Sequence, residues 1–499
     1  MAEPAAGAAS AADPAPDRLD RALIAIQIVT TLGALLSILD TTIVNVALET
    51  FSREFHSPLS NVQWIATSYL LALGTVVPLA GWTAERFGAR RVWMVSVALF
   101  VLGSIACGFA WDLPSLIGFR VLQGVGGGLM IPVGQTILAQ AAGPARMARA
   151  MALSWIVTLM GPVLGPVIGG AIVDGLTWRW LFFVNVPVGV VALVAATKLL
   201  PDTRSDARHR LDVRGLALLS PGLVLLLYGI SEFGASAGRW TTAVVASLAA
   251  GFALTGGFVV HALRLKERAL IELALFRDRS FGGAAINNLL IIAAIFGGMV
   301  LLPLYYQVVR GESATRAGLL MAAQPIGAAL MTVFSARIAD RSGAGRVVPF
   351  GILIAAGATI GLAYVGPHTS YWQLNVILFV RGFGFGATIM PAMAVAFASL
   401  PREAIPRATV AINIVQRLGG SLGIALLAVV LERRIDALIP GAHGISTYVQ
   451  GIPAAQRAAV EGPLAHAFGQ AFWVAVGIAA LAFVPALFLP RHPVKKAAG

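Results

Sequence analysis

Of the 23 Asp and Glu residues in this chain, one, Asp40, lies well inside an apolar run, and the others fall in tails, loops or at the ends of such runs. An ionisable side chain placed in the middle of a membrane-crossing helix costs on the order of 3 kcal/mol, so such a group faces a cavity or a partner and commonly relays protons. Arg120, inside another apolar run, is the natural counter-charge. A carboxylate and a guanidinium on facing helices would let proton binding and substrate binding compete at one place, or would simply lock two helices together. Arg381 and Arg417 are embedded in the same way, where each would pair with backbone carbonyls or face a wet cavity. Asn45, Gln123 and Asn413 are candidate polar contacts to a substrate, and equally candidate helix-helix hydrogen bonds. No Gly-x-x-x-x-Gly-Lys-Ser/Thr loop is present, so no ATP hydrolysis and no cofactor are expected, and an ion gradient is the energy source left. Cys107, the only cysteine, excludes an internal disulfide and lacks the Cys/His spacing of a metal site.

The elements that would position these residues are membrane helices. Among 499 residues 58% are hydrophobic and 12% charged, with a mean hydropathy of +0.82, against about a quarter charged in an ordinary soluble domain. Apolar runs such as 22–48, 92–109 and 281–305 reach or approach the roughly 20 residues that a helix needs to cross the hydrocarbon core. They are continuously apolar, which excludes the alternating pattern of a β-barrel strand. Fourteen spans are expected, the second over 61–80 and the fifth over 147–172. The formal net charge of +13 is spread through short loops and forms no single stripe, so nucleic acid is not an expected partner. With both termini on one side, that side receives over two thirds of the 36 Lys and Arg residues, which makes it the cytoplasmic side of the inner membrane.

An internal repeat divides the chain. Ala84-Glu85-Arg86-Phe87-Gly88-Ala89-Arg90-Arg91 recurs as Ala339-Asp340-Arg341-Ser342-Gly343-Ala344-Gly345-Arg346, with acid, Arg, Gly and final Arg in register. Gly124, Gly126 and Gly128 recur as Gly382, Gly384 and Gly386, and Arg149, Gly161 and Gly165 as Arg407, Gly419 and Gly423. The expected organisation is a disordered cytoplasmic tail (1–21), a six-helix bundle (22–200), a linker with two extra and peripheral spans (201–280), a second six-helix bundle (281–490) and a short cytoplasmic tail (491–499). Two parallel six-helix repeats are similar to the major facilitator architecture, in which substrate binds near the midplane between halves that rock to expose it to each side in turn.

The motifs carry a sharper resemblance. Leu39-Asp40-Thr41-Thr42-Ile43-Val44-Asn45-Val46-Ala47-Leu48 resembles the first-helix signature of the fourteen-helix drug:proton antiporter branch of the major facilitator superfamily, with Glu49 where that branch usually has Pro. Glu49 would then either receive substrate at the outer end of the helix or sit in solvent. Gly81-Trp82-Thr83-Ala84-Glu85-Arg86-Phe87-Gly88-Ala89-Arg90-Arg91 is similar to the superfamily's loop between helices 2 and 3, with Glu85 where Asp is usual. The resemblance implies a gating role for Gly81, Glu85, Arg86, Gly88, Arg90 and Arg91, the arginines latching one half to the other. Arg120-Val121-Leu122-Gln123-Gly124 looks like the family's helix 4 motif, whose Arg is implicated in proton transfer beside the helix 1 acid. Gly161, Pro162, Gly165, Pro166, Gly169 and Gly170 fall in a segment resembling the antiporter motif that the family uses to separate exporters from uniporters and symporters. Trp178 to Gly189, which includes Asn185, resembles the start of helix 6, with aromatics suited to an interfacial belt.

The resemblance implies a multidrug exporter rather than an enzyme, exchanging protons for small lipophilic, often cationic, molecules and working as a monomer in the bilayer. A dedicated exporter of one antibiotic, metabolite or lipid, and an uncoupled facilitator, remain open at this point.

Overall fold

Long apolar runs leave lipid-embedded backbone one way to satisfy its own N–H and C=O groups, and that is the α-helix. The computed structural model describes residues 20–142, 147–202, 210–398, 400–401, 404–439 and 454–491, and every regular element among them is helical. The first half contains α1 (Arg21–Val46), α2 (Trp64–Val76), α3 (Leu79–Phe87), α4 (Ala89–Gly108), α5 (Leu113–Ala142), α6 (Met147–Gly175) and α7 (Asn185–Leu199). Two linking helices follow, α8 (Val213–Ala235) and α9 (Thr242–Leu265). The second half contains α10 (Arg279–Leu304), α11 (Ala314–Met321), α12 (Ala323–Ser342), α13 (Ala344–Ala363), α14 (Tyr371–Ala398), α15 (Ile405–Leu438) and α16 (Ala454–Leu481). Among the described residues twelve helices are long and apolar enough to cross a membrane, and the pair α2 and α3 brings a thirteenth. The fifth expected span falls on α6, a 29-residue helix, many of whose side chains are outside the description. The terminal segments 1–19 and 492–499 also lie outside it.

The repeat is visible in the backbone. α1 and α10 are both 26 residues long and start on arginines 258 positions apart. Gly88 (φ 86°) and Gly343 (φ 85°) each stand between two helices in a conformation that side chains with a Cβ resist, so the loop motif is built identically in both halves. In each half the first span packs on the fifth (α1 on α6, α10 on α15), and the second and third spans pack on the fourth (α2 and α4 on α5, α12 and α13 on α14). The glycine triplets explain the last two contacts. A Cβ on Gly124 would stand 2.6 Å from the Tyr69 carbonyl oxygen of α2, and one on Gly126 would stand 2.6 Å from the Ser96 oxygen of α4. Gly382 and Gly386 meet α12, and Gly384 meets α13, in the same alternation. Where no hydrophobic effect drives helices together in lipid, this close approach of backbones does.

The second span departs from the expected single helix over 61–80. It begins at Trp64, breaks between α2 and α3 with a bend of 57°, and continues to Phe87. Pro78 is the cause, since it has no N–H for the carbonyl one turn earlier. The two linking helices also depart from expectation, for only one of them is peripheral. α9 contacts little besides α8, whereas α8 packs on α15 of the second half and α2 of the first. The Ser220 hydroxyl donates to the Thr75 carbonyl (2.7 Å), and a Cβ on Gly234 would stand 3.0 Å from the Ala425 Cα. α8 therefore lies along the groove between the halves.

Candidate functional site

Asp40 lies in α1 six residues before its last residue, and Arg120 lies seven residues into α5. At 1.5 Å per residue both are about 10 Å from the helix ends that face away from the Arg21 side. Both side chains are fully buried, with the Arg120 Nη1 2.5 Å from the Asp40 Oδ2. Gln123 stands three residues after Arg120 on the same face of α5 and completes a triangle. Its amide donates to the Asp40 Oδ1 (2.9 Å), and its Oε1 accepts from the Arg120 Nη1 (2.8 Å). A third donor, the Asn185 Nδ2 at the start of α7, reaches the Asp40 Oδ1 (3.2 Å). The Ser104 hydroxyl oxygen of α4 accepts from both amides at 3.1 Å, and the Cys107 thiol lies 3.6 Å from the Gln123 Oε1.

The same guanidinium has further contacts. The Arg120 Nε donates to the Ile65 carbonyl (3.0 Å), and its carbon lies 4.2 Å over the centre of the Tyr69 ring, whose hydroxyl bonds the Ser37 hydroxyl (3.0 Å). The Arg120 Nη2 is buried with no acceptor among the described residues. Among the described residues every group that hydrogen-bonds the Asp40 carboxylate is thus an N–H donor, and each of these bonds draws on its negative charge.

The second half has no counterpart to this acid. By the 258-residue register Asp40 corresponds to Gly298 and Gln123 to Arg381. A Cβ on Gly298 would collide with the Arg381 guanidinium, which occupies the space an acid would need. Arg381 is fully buried and donates to the Gln324 Oε1 (2.7 Å), the Ala294 carbonyl (3.0 Å) and the Thr359 hydroxyl oxygen (3.1 Å), all neutral.

A single face of α15 meets the first half. Arg407 donates to both oxygens of Glu85 (3.2 and 3.4 Å) and lies 3.9 Å from Glu272. One turn on, the Val410 Cγ2 lies 3.4 Å from where a Cβ on Gly81 would be, and the Asn413 Nδ2 donates to the Gln135 Oε1 of α5 (2.7 Å). Arg417 follows on the same face. The latch between halves thus runs through the acid of the loop motif and not through its arginines as expected. Arg90 donates to the Thr197 carbonyl within its own half, while Arg86 and Arg91 are exposed. Asn413 is a seam residue.

The antiporter motif abuts the proton-binding candidate. Cβ atoms on Gly161 and Gly165 would collide with Ile38 and Thr42 of α1, and one on Gly169 would stand 3.3 Å from the Ile43 carbonyl oxygen, so the motif grips α1 on either side of Asp40. Gly170 has open space beside it, and the side chains of Pro162 and Pro166 lie outside the described residues. Asn45 is exposed, and Glu49, also exposed, lies 3.8 Å from Arg53. Neither joins the buried cluster. Asn185, Tyr69 and Ser104 belong to the cluster without having been singled out from the sequence. A buried-facing Asn at the head of an apolar helix was the available signal.

The chain resembles known proteins over nearly all its length. A family model described as the Major Facilitator Superfamily matches residues 30–424. A protein named multidrug resistance protein B homolog, from Mycobacterium tuberculosis, is 37% identical over 495 residues, covering 96% of this chain and 92% of the relative. The multidrug export protein EmrB of Escherichia coli is 29% identical over 478 residues, covering 91% and 93%. Among solved structures, the human organic anion transporter MFSD10 superposes with a TM-score of 0.60 at 15% identity, covering 93% of this chain and 99% of that one, which speaks to the fold alone.

Proposed function

The chain belongs to the major facilitator superfamily, and from that premise we propose that it is a proton-coupled antiporter. In this reading it exports lipophilic small molecules across the cytoplasmic membrane by alternating access, with both termini inside and one chain sufficing. The observation that carries the reading is the convergence of three N–H donors, from Arg120, Gln123 and Asn185, on a fully buried Asp40. A proton added to that carboxyl removes the negative charge on which the three donors converge and so weakens all three hydrogen bonds. Each of the three links α1 to α5 or α7, and the glycines of α6 hold α1 on its other side. Protonation of Asp40 therefore alters how the first helix is held, which is what coupling a proton to bundle motion requires. The relatives' names support drug export. The gradient supplies the energy, with no nucleotide or cofactor.

The latch of Glu85 to Arg407, with Gln135 to Asn413, closes the seam on the side of the loop motifs. Opening that side to take up substrate requires these contacts to break. Asp40→Asn keeps the size of the side chain and removes the titratable group. In sealed vesicles with an imposed proton gradient, the variant is expected to insert and fold like the parent yet lose gradient-driven dye accumulation. Undiminished accumulation would overturn the coupling role of Asp40.

A further inference from the structure

Four ionisable side chains stand in the middle of spans, Asp40, Arg120, Arg381 and Arg417, and their charges do not balance. Asp40 is matched by Arg120. Arg381 is spent on neutral acceptors in the second half. Arg417 is spent on nothing, having no hydrogen bond or ion pair among the described residues. Its Nε is shut away from solvent without an acceptor, and its terminal nitrogens, also unbonded, are not closed off in that way. A guanidinium in that condition keeps donors unused and within reach of a ligand.

Arg417 stands on the face of α15 that meets the first half. Arg407, Val410 and Asn413 each touch the first half, and Arg417 continues the same stripe one turn deeper into the membrane. Tyr69, the buried ring on which Arg120 rests, lies within electrostatic range of it. An unpaired guanidinium with its two terminal nitrogens free is suited to a carboxylate, sulfonate or phenolate. In a crevice of low dielectric it repels a permanent cation.

We propose that Arg417 is the anion-recognising subsite of the transport cavity, so that the exported compounds are lipophilic acids or zwitterions and not lipophilic cations. The proposal rests on the export reading and narrows its substrate class. The apolar body of such a compound would lie against the surrounding aliphatic side chains, while its acidic group meets Arg417. A proton taken up at Asp40 would then leave the Arg120 charge less compensated. The anion would feel both charges at once.

The test is accumulation by the full chain in phosphatidylcholine vesicles with an acidic lumen, which contain no anionic headgroup to occupy the site. Three probes are compared: anilinonaphthalene sulfonate, the uncharged phenylnaphthylamine of the same skeleton, and the cation tetraphenylphosphonium. The parent is expected to accumulate the sulfonate and reject the phosphonium. Arg417→Gln should lower sulfonate accumulation about tenfold, the scale of one charge-assisted hydrogen bond, and leave the uncharged dye unchanged. Arg417→Lys should restore part of the loss. A purely structural role would lower both dyes together, and that result overturns the proposal. So does preference of the parent for the phosphonium, which needs no variant to fold and leaves gradient-driven export standing. Failure to move any probe would instead sink the export reading, and this proposal with it.

Discussion

A carboxylate encircled by donors makes each donor's contribution separable. Asn185 reaches the Asp40 Oδ1 at 3.2 Å from α7, where Gln123 also binds. Losing one hydrogen bond to a buried charge is worth about 1.5–3 kcal/mol. Asn185→Leu is therefore expected to slow gradient-driven efflux about tenfold or more, with expression and insertion unchanged, as read by dye efflux from energised cells. Efflux at the parental rate would show that Asn185 is only a packing residue. Asp40 and Arg120 were legible in the sequence because an acid and an arginine in apolar surroundings stand out on cost alone, whereas Gln123, expected as a substrate contact or a helix-helix hydrogen bond, binds the carboxylate instead. Asn185 was hidden among Trp178, Trp180, Phe182 and Phe183, whose rings suggested an interfacial belt. Tyr69 looked like one more aromatic in a span, and only the fold places its ring under a guanidinium.

Among helices, the contacts that matter are those between the halves and those that hold α1. Glu85 and Arg407 are both largely buried, and their bond crosses from the first half to the second. Breaking a partly buried pair of this kind costs about 1–3 kcal/mol, enough to shift a two-state opening by about tenfold or more. In a Glu85→Gln background, a cysteine at position 413 is expected to react correspondingly faster with a membrane-permeant maleimide, since Asn413 lies on the same seam. An unchanged rate would mean that the latch does not hold the seam. Cys107 is buried and need not be removed. At the other contact, Gly165→Leu would force Thr42 and its helix away from α6, and overpacking of this kind costs about 1–3 kcal/mol. A lowered Tm in detergent together with weakened efflux is the expected result. The positions of most spans could be read from hydropathy. The acid of the loop motif as the latch could not, because its partner Arg407 lies 322 residues further on.

For the whole molecule, the two-fold repeat was readable because acid, Arg and Gly recur in one register, and the helix pairings follow it. The role of α8 was not readable. Its composition is that of any span, and nothing in it announces that it meets both α2 and α15. A chain in which residue 200 is joined to residue 281, without α8 and α9, is expected to unfold at lower temperature and to lose efflux. A merely peripheral pair would leave both intact. The repeat also fails in one informative place, where Gly298 and Arg381 stand at the positions of the acid and the amide, so that the second half has no counterpart of the Asp40 cluster. The depth of Asp40 has an electrical consequence. A proton arriving from outside to a site about 10 Å below that surface crosses about a third of the voltage drop, on the order of 0.8 kcal/mol for each 100 mV, and the remaining two thirds is crossed on the way to the cytoplasm. In the proposed coupling, most of the work drawn from membrane potential would then be done as Asp40 gives its proton up.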